Sequence, residues 1–294
     1  MENFTYLSDD SYQVDIKRDD LIHPHICGNK YRKLKNNLAV AIKQGAEVLI
    51  SCGGAYSNHL VAVAAAGHIL GLKTKGIIRG YQIDKNNPTI QILENYDMGL
   101  ELASPGSFDS VCKKYEEQAS LSHSNNFWIP MGGSNELALK GVKEGIDEVK
   151  DLVTYDYVFC AVGTGGLLAG LIQACMSRDI NVVGVSPFKK AFADLEIFNL
   201  LSSGEKAHIN IIPSVPVTRF GGWHSTIDKC IEDVISLTGI RLDPIYTVKV
   251  VLTVQDLIRR AIVPKGSKIL LIHSGGLQGY DGYLYRYQKK KAIR

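Results

Sequence analysis

Short apolar runs alternate with longer helical patterns through most of this 294-residue chain. The predicted strands are Glu47–Cys52, Thr74–Ile78, Leu100–Leu102, Tyr157–Cys160, Asn181–Val185 and Lys268–Ile272. The predicted helices are Tyr31–Gln44, Asn58–Leu70, a segment after Pro88, and Glu136 to about Lys150. Continuously apolar strands separated by helices are typical of parallel sheets that helices cover on both faces. The sequence therefore predicts an α/β fold with mostly parallel sheets.

A glycine-rich segment divides this pattern into two parts. Ile129–Asn135, with the sequence IPMGGSN, precedes the long helix that begins at Glu136. Glycine and proline favour turns over regular structure, so such a segment is typical of a boundary between structural units. We expect a small domain over residues 34–133, inserted into a large domain that residues 1–33 and 134–294 form together.

Charge and composition exclude several kinds of partner. The net charge is +3, the basic tail Lys289–Arg294 is typical of a solvated terminus, and no aromatic-studded basic stripe suggests nucleic-acid binding. No apolar run approaches ~18 residues, and Met1–Phe4 lacks the features of a signal peptide, so we expect no membrane partner. The six cysteines form no C-x-x-C pair and, with the eight histidines, show no metal-ligand spacing. These features favour reduced thiols, a cytoplasmic location and the absence of a metal site.

Three glycine loops follow predicted strands, at Gly53–Gly54, Gly163–Gly166 and Ser274–Gly276. Ligands of open α/β sheets bind at the carboxyl ends of the strands. The loop Gly163-Thr164-Gly165-Gly166 is the best candidate phosphate site, because it opens a helix whose first backbone N–H groups are uncrowded by side chains. A tight strand-to-helix turn that binds nothing is compatible with the same glycines. A P-loop is excluded, because no Gly-Lys-Ser/Thr follows, and a complete G-x-G-x-x-G dinucleotide motif is absent.

Lys30 lies in the segment Gly28-Asn29-Lys30-Tyr31, where a glycine turn meets the start of a predicted helix. Taken alone, it is equally compatible with one more exposed cation in a basic segment. Together with a phosphate loop, it suggests pyridoxal phosphate, which needs a reactive amine, a phosphate cup and a partner for its pyridine nitrogen. The chain offers candidates for all three requirements and no alternative catalytic apparatus.

Several segments resemble those of the 1-aminocyclopropane-1-carboxylate deaminase / D-cysteine desulfhydrase family of pyridoxal-phosphate enzymes. The strongest similarities lie in GNKYRKL at residues 28–34, GGAYSNH at 53–59 and LDPIYT at 242–247. The resemblance spans nearly the whole chain, from residue 16 to residue 279. It implies the tryptophan-synthase-β-like architecture called fold type II, in which two three-layer α/β domains hold the cofactor in the cleft between them. It also implies a small amino-acid substrate and a homodimer.

The resemblance assigns roles to individual residues. Lys30 would bond covalently to the cofactor's aldehyde and then act as the base. Asn58 would hydrogen-bond the cofactor's ring oxygen, and Ser57, Asn58 and His59 would receive the substrate carboxylate at a helix N-terminus. Ser57 and Tyr246 are the further catalytic candidates, with Tyr246 near the substrate's leaving group. From the residues alone, Ser57 and Asn58 are equally typical of helix caps, and Tyr246 of a half-buried core aromatic.

The pyridine-nitrogen partner distinguishes the activities within the family. Family members that open a cyclopropane ring carry a glutamate where this chain has Thr247, and Ser274 is the other candidate neighbour. A carboxylate keeps the ring nitrogen protonated, whereas a hydroxyl leaves the cofactor a weaker electron sink. Elimination of a good leaving group such as thiolate tolerates the weaker sink. We therefore expect D-cysteine desulfhydrase-like chemistry, with 1-aminocyclopropane-1-carboxylate deamination as the first alternative and a broader D-amino-acid lyase as another.

Two positions depart from the family pattern. Trp223 stands where a second active-site tyrosine follows Gly-Gly, and we expect it to contact the substrate although it cannot act as a phenolic acid. Val248 replaces a glycine, and its branched side chain is expected to narrow the pocket or shift the backbone. These departures motivate an alternative of another class, a non-catalytic protein that binds pyridoxal phosphate.

Overall fold

The computed structural model describes residues 1–187, 199–218 and 221–292. Its strands are, in chain order, β1 (Glu2–Asn3), β2 (Gln13–Arg18), β3 (Val48–Gly54), β4 (Lys73–Arg79), β5 (Gly99–Ala103), β6 (Asn126–Ile129), β7 (Tyr157–Ala161), β8 (Asn181–Ser186), β9 (Ile211–Pro213) and β10 (Lys268–His273). Its helices are α1 (Asn29–Lys43), α2 (Asn58–Leu70), α3 (Pro88–Asn95), α4 (Phe108–Ala119), α5 (Glu136–Asp147), α6 (Gly166–Cys175), α7 (Ser203–Lys206), α8 (Ser225–Thr238), α9 (Thr247–Arg259) and α10 (Gly279–Ala292).

Six strands form a large sheet in the order β1-β2-β10-β7-β8-β9. β1 pairs antiparallel with β2, and the other neighbours pair in parallel. Alternate residues of the central strand β7 enter different cores, since Val158 and Cys160 pack on one face and Phe159 and Ala161 on the other. Because both faces carry a buried core, the large sheet is the middle of three layers.

Four parallel strands form a small sheet in the order β5-β4-β3-β6. Leu49 and Ile78 enter the core under α1 and α2, whereas Ile50 and Ile77 face the opposite core beside α4. This sheet is therefore also covered on both faces. The two sheets confirm the predicted α/β fold with mostly parallel strands.

Helix α1 links the two sheets. It packs against α5 of the large unit, while its residues Leu34 and Ala41 are buried in the core of the small sheet. The boundary predicted after residue 33 thus falls inside α1, and the one after residue 133 falls just before α5. The division into residues 34–133 and the remainder stays a prediction.

Candidate active site

A cavity of about 1040 Å³ lies at the carboxyl ends of strands from both sheets. Gly54 and Arg79 line it from the ends of β3 and β4, and Ala161 lines it from the end of β7. Ser274, directly after β10, completes this rim. The position is the one at which α/β sheets bind ligands, and the volume accommodates a cofactor together with a small substrate.

Lys30 lines this cavity from the first turn of α1. The turn before it is held against the loop after β10, because the Asn29 N–H donates to the Ser274 carbonyl (3.2 Å) and the Gly276 N–H donates to Cys27 Sγ (3.3 Å). Burial lowers the pKa of the Lys30 amine to about 8, since the charged form loses its hydration. Within the described ranges, no ion pair or hydrogen bond involves this amine, and its lowered pKa makes a reactive neutral amine accessible near neutral pH.

The loop Gly163–Gly166 connects β7 to α6 and presents the N-terminus of that helix. Gly163, Thr164 and Gly165 line the cavity, whereas Gly166 is buried behind them. A Cβ at Gly166 would lie 2.7 Å from Ser134 Oγ and 2.9 Å from Lys33 Nζ, so a larger residue would displace these two side chains. The loop is therefore a helix terminus without side-chain obstruction, which is the arrangement that binds phosphate.

Lys33, which the sequence analysis did not single out, lies beneath this loop. Its buried amine donates to the Gly132 carbonyl (3.1 Å), to Ser134 Oγ (2.8 Å) and to Thr164 Oγ1 (3.3 Å). It adds a positive charge to the helix terminus. The signal in the sequence was its spacing, because residues three apart on a helix share a face and Lys30 faces the cavity.

The N-terminus of α2 forms another wall, with Ser57, Asn58 and His59 all in the lining. Ser57 caps the helix by accepting from the Leu60 N–H (3.2 Å). Asn58 Oδ1 is buried and has no hydrogen-bond partner among the described residues. Because the Ser51 hydroxyl donates to the Ile129 carbonyl (2.8 Å), its oxygen accepts from His59 Nε2 (2.9 Å). Burial, followed by the charges of Lys30 and Lys33, lowers the pKa of His59 well below its usual value. His59 therefore stays neutral and supports the helix terminus.

Asp243 organises the segment that carries Tyr246 and Thr247. Its carboxylate accepts the N–H groups of Ile245 (3.0 Å), Tyr246 (2.7 Å) and Thr247 (2.7 Å), which caps α9. Tyr246 lines the cavity beside Gly163, and burial followed by the charge of Asp243 raises the pKa of its phenol. Tyr246 therefore keeps its proton at neutral pH.

The two hydroxyl residues expected near the pyridine nitrogen differ in position. Ser274 lines the cavity, whereas Thr247, the residue after Tyr246, is buried and absent from the described lining. Thr247 Oγ1 has no hydrogen-bond partner among the described residues. No aspartate or glutamate belongs to the described lining.

The structure does not bring Trp223 to the cavity lining. Its side chain is 44% exposed, its ring stacks on Tyr287 at 5.1 Å between centroids, and Nε1 donates to the Asp228 carboxylate (2.5 Å). Val248 is buried in the core of the large sheet and is likewise absent from the described lining, so it does not narrow the pocket. Arg219 and Phe220, which directly precede the Gly221-Gly222-Trp223 segment, lie outside the described residues.

The lining fits pyridoxal phosphate. Lys30 supplies an amine of lowered pKa, and the loop after β7 with Lys33 supplies a phosphate cup. Asn58, in the lining, has a buried Oδ1 without a partner among the described residues, which a ligand would satisfy. Within the described residues, no histidine, cysteine or carboxylate cluster has the arrangement of a metal site, and no helix is long and apolar enough to cross a bilayer.

Fold and cavity together define an enzyme that uses pyridoxal phosphate. The chain belongs to the pyridoxal-phosphate dependent enzyme family, whose sequence model matches residues 6–206. A relative from Pyrococcus abyssi (strain GE5 / Orsay), provisionally named a 1-aminocyclopropane-1-carboxylate deaminase, is 31% identical over 92% of this chain and 86% of its own length. A protein of Arabidopsis thaliana named a mitochondrial bifunctional D-cysteine desulfhydrase/1-aminocyclopropane-1-carboxylate deaminase is 29% identical, over 90% of this chain and 73% of its own.

The same similarity appears in three dimensions. The crystal structure of a 1-aminocyclopropane-1-carboxylate deaminase homologue superposes with a TM-score of 0.80 and 28% identity, covering 94% of this chain and 88% of that one. These matches confirm the cofactor, the fold type and the enzyme class that the sequence predicts. The roles of single residues stay a proposal.

Replacing Lys33 with methionine is expected to weaken cofactor binding by about 10- to 100-fold, because it removes a buried positive charge beneath the phosphate loop together with the hydrogen bond that holds Thr164. The measurement is the dissociation constant of pyridoxal phosphate, from a titration of the visible absorption band. Lys35→Met is the matched control, because Lys35 lies on the same helix but is exposed and pairs with Glu144 (2.6 Å). An unchanged dissociation constant in a folded Lys33→Met variant would contradict this role.

Proposed function

We propose that this enzyme catalyses α,β-elimination from a small amino acid, with D-cysteine as the first candidate and with pyruvate, sulfide and ammonia as products. The observation that carries the proposal is a cavity whose described lining contains no carboxylate, with the hydroxyl of Ser274 in that lining and the buried hydroxyl of Thr247 in the residue after the lining residue Tyr246. A hydroxyl does not hold a proton on the pyridine nitrogen as a carboxylate does. Such a site suits a leaving group that departs easily, and the thiolate of cysteine is one.

Each side chain of the site has a task that its environment supports. The N-terminus of α2, at Ser57 and Asn58, binds the substrate carboxylate through its backbone N–H groups and its helix dipole. The loop Gly163–Gly166 and Lys33 would hold the cofactor phosphate, Asn58 would bind its ring oxygen, and Ser274 or Thr247 would serve its ring nitrogen. When bound, the cofactor acts as the electron sink for the substrate's α-carbon.

Two residues with altered pKa values act during the elimination. Lys30 Nζ, whose pKa is lowered to about 8, takes the proton from the α-carbon. Tyr246, whose pKa is raised, keeps its phenolic proton and stabilises the departing thiolate by a hydrogen bond. Hydrolysis of the remaining three-carbon enamine by water yields pyruvate and ammonia. His59 remains neutral behind Ser57 and Asn58 and fixes the position of the helix terminus.

The second candidate is deamination of 1-aminocyclopropane-1-carboxylate, because relatives carry that name. The non-catalytic alternative rested on Trp223 and Val248, and neither belongs to the described cavity lining. Nothing in the described lining therefore favours a non-catalytic protein. A homodimer and a cytoplasmic location complete the proposal. The family resemblance supports the first, and six cysteines without a disulfide among the described residues support the second.

The test is a substrate panel on the cofactor-loaded enzyme. D-cysteine, L-cysteine and 1-aminocyclopropane-1-carboxylate are each scored for ammonia, for sulfide and for the oxo acid formed. We expect sulfide and pyruvate in equal amounts from D-cysteine, and turnover of the cyclopropane at least about tenfold slower, a difference of about 1.4 kcal/mol in activation free energy. Faster release of ammonia from the cyclopropane than from D-cysteine would reverse the assignment.

A further inference from the structure

The described lining of the cavity has a one-sided charge. Lys30, Lys33 and Arg79 contribute three cations, and no aspartate or glutamate belongs to the lining. Two of the three have a place in the proposed function, Lys30 at the cofactor's aldehyde and Lys33 at its phosphate. The N-terminus of α2 already receives the substrate's α-carboxylate. Arg79 is therefore a cation in the cavity wall to which no part of the cofactor or of the amino-acid backbone corresponds.

The position of Arg79 is set by the small sheet. It is the last residue of β4 and pairs in register with Gly54, the last residue of β3. Gly54 leads directly into the turn that ends at Ser57 and Asn58, where the α-carboxylate binds. Neighbouring strands lie about 4.8 Å apart, so Arg79 stands one strand beyond that carboxylate site on the same rim of the cavity.

Its guanidinium is held by an aromatic side chain. The Arg79 guanidinium carbon lies 5.6 Å from the centroid of the Phe108 ring, and Phe108 is buried at the start of α4. A cation over an aromatic face is oriented without losing its hydrogen-bonding capacity. Arg79 is an exposed residue at the rim of the cavity, and among the described residues no carboxylate forms an ion pair with it, so a ligand can reach its N–H donors from the solvent side.

We propose that Arg79 binds an anionic group at the far end of the substrate's side chain. This inference rests on the proposed function. The preferred substrate is then a small amino acid whose β-substituent carries a carboxylate, sulfonate or phosphate. D-cysteine carries no such oxyanion, because its side chain ends in the sulfur that departs, and it would leave Arg79 without a ligand. A planar guanidinium binds such oxyanions through two parallel hydrogen bonds, which gives it selectivity over a neutral group of the same shape.

The test compares isosteric ligands that differ only in charge. Aspartate with asparagine, and glutamate with glutamine, in both enantiomers, are titrated into the cofactor-loaded enzyme while its visible spectrum is recorded. In at least one pair, we expect the acid to bind about tenfold more tightly than the amide. Arg79→Gln removes this preference and leaves the dissociation constant of the amide within about twofold, whereas Arg79→Lys retains part of the preference, because it keeps the charge and loses the fork geometry.

Lys73→Gln is the matched control, because Lys73 is an exposed cation of the same strand outside the described lining, and its change in net charge is identical. We expect this variant to keep the full preference. The proposal is overturned if no pair shows a preference for the acid, or if the preference survives in Arg79→Gln. Failure of the proposed function has another signature, since the wild-type enzyme would then release no sulfide from D-cysteine even while acidic ligands alter its spectrum.

Discussion

Lys30→Ala is expected to abolish the visible absorption band of the lysine-bound cofactor and to lower the turnover number by about 10³–10⁴-fold. The variant loses both functions proposed for this side chain, the covalent bond to the cofactor and the removal of the α-proton. The phosphate cup at Gly163–Gly166 does not depend on Lys30, so the cofactor should still bind, without the covalent bond. A spectrum recorded with excess cofactor, together with a sulfide assay, measures the two losses separately.

The pH dependence of cofactor attachment gives a second, independent measurement on the same residue. Only the neutral amine attacks an aldehyde, and the pKa of Lys30 is lowered to about 8 by burial. As the pH rises, the neutral fraction grows, so the attachment rate should rise and level off above about pH 8. A lysine of ordinary pKa would keep gaining rate up to about pH 10.4. A stopped-flow record of the visible band across this pH range distinguishes the two.

Two further variants exclude a purely electrostatic role for Lys30. Lys30→Arg keeps the positive charge and cannot form the covalent bond, so it should be as inactive as Lys30→Ala. Lys35→Ala removes a cation of the same helix that lies outside the described lining, and it should retain both the band and the activity. Residual activity of Lys30→Arg near the wild-type level would rule out the proposed role of Lys30.

The elements that the sequence predicted correctly are those whose stability is local or apolar. Helix α2 matches its predicted bounds because Ser57 caps its start and Gly71 ends it in a left-handed conformation. Strand β2 was missed, because the buried residues Asp15 and Lys17 interrupt its apolar pattern. Asp15 accepts from the Tyr155 hydroxyl (2.7 Å), and Lys17 pairs with Asp19 (2.5 Å). Tyr155 is far away in the sequence, so the contact that makes a buried aspartate tolerable cannot be seen in a local pattern.

The same distinction, between local patterns and contacts made only in the folded chain, explains which residues of the site could be predicted. The glycine loop and Lys30 are visible in the sequence, because a backbone requirement selects glycine and a turn precedes the lysine. Lys33 was missed because its partners Gly132 and Ser134 approach only in the folded chain. Trp223 was expected at the substrate because of its place in a motif, whereas the structure stacks it on Tyr287. A motif gives the order of residues, and the packing of side chains decides which of them face the cavity.

Gly28→Ala is expected to lower the free energy of unfolding by at least about 3 kcal/mol and to impair cofactor binding with it. Gly28 has φ +59° and ψ −137°, a backbone conformation that is strongly unfavourable for every residue other than glycine. A Cβ there would also lie 1.9 Å from the Ser274 carbonyl oxygen and 2.6 Å from the Gly275 nitrogen. Both atoms belong to backbone that borders the cavity, so relief of the clash must displace either the turn before Lys30 or the loop at Ser274.

Gly71→Ala measures the cost of a positive φ at a glycine that has no close contact. Gly71 also has a positive φ, +68° with ψ +22°, but no atom lies within 4 Å of its added Cβ. It should therefore lose only about 1 kcal/mol, the cost of a left-handed conformation without a clash. Denaturant unfolding of both variants without cofactor gives the difference, and a cofactor titration then shows whether only Gly28→Ala weakens binding. Equal destabilisation of the two variants would mean that the approach of the turn to Ser274 is loose, and that Lys30 does not depend on it for its position.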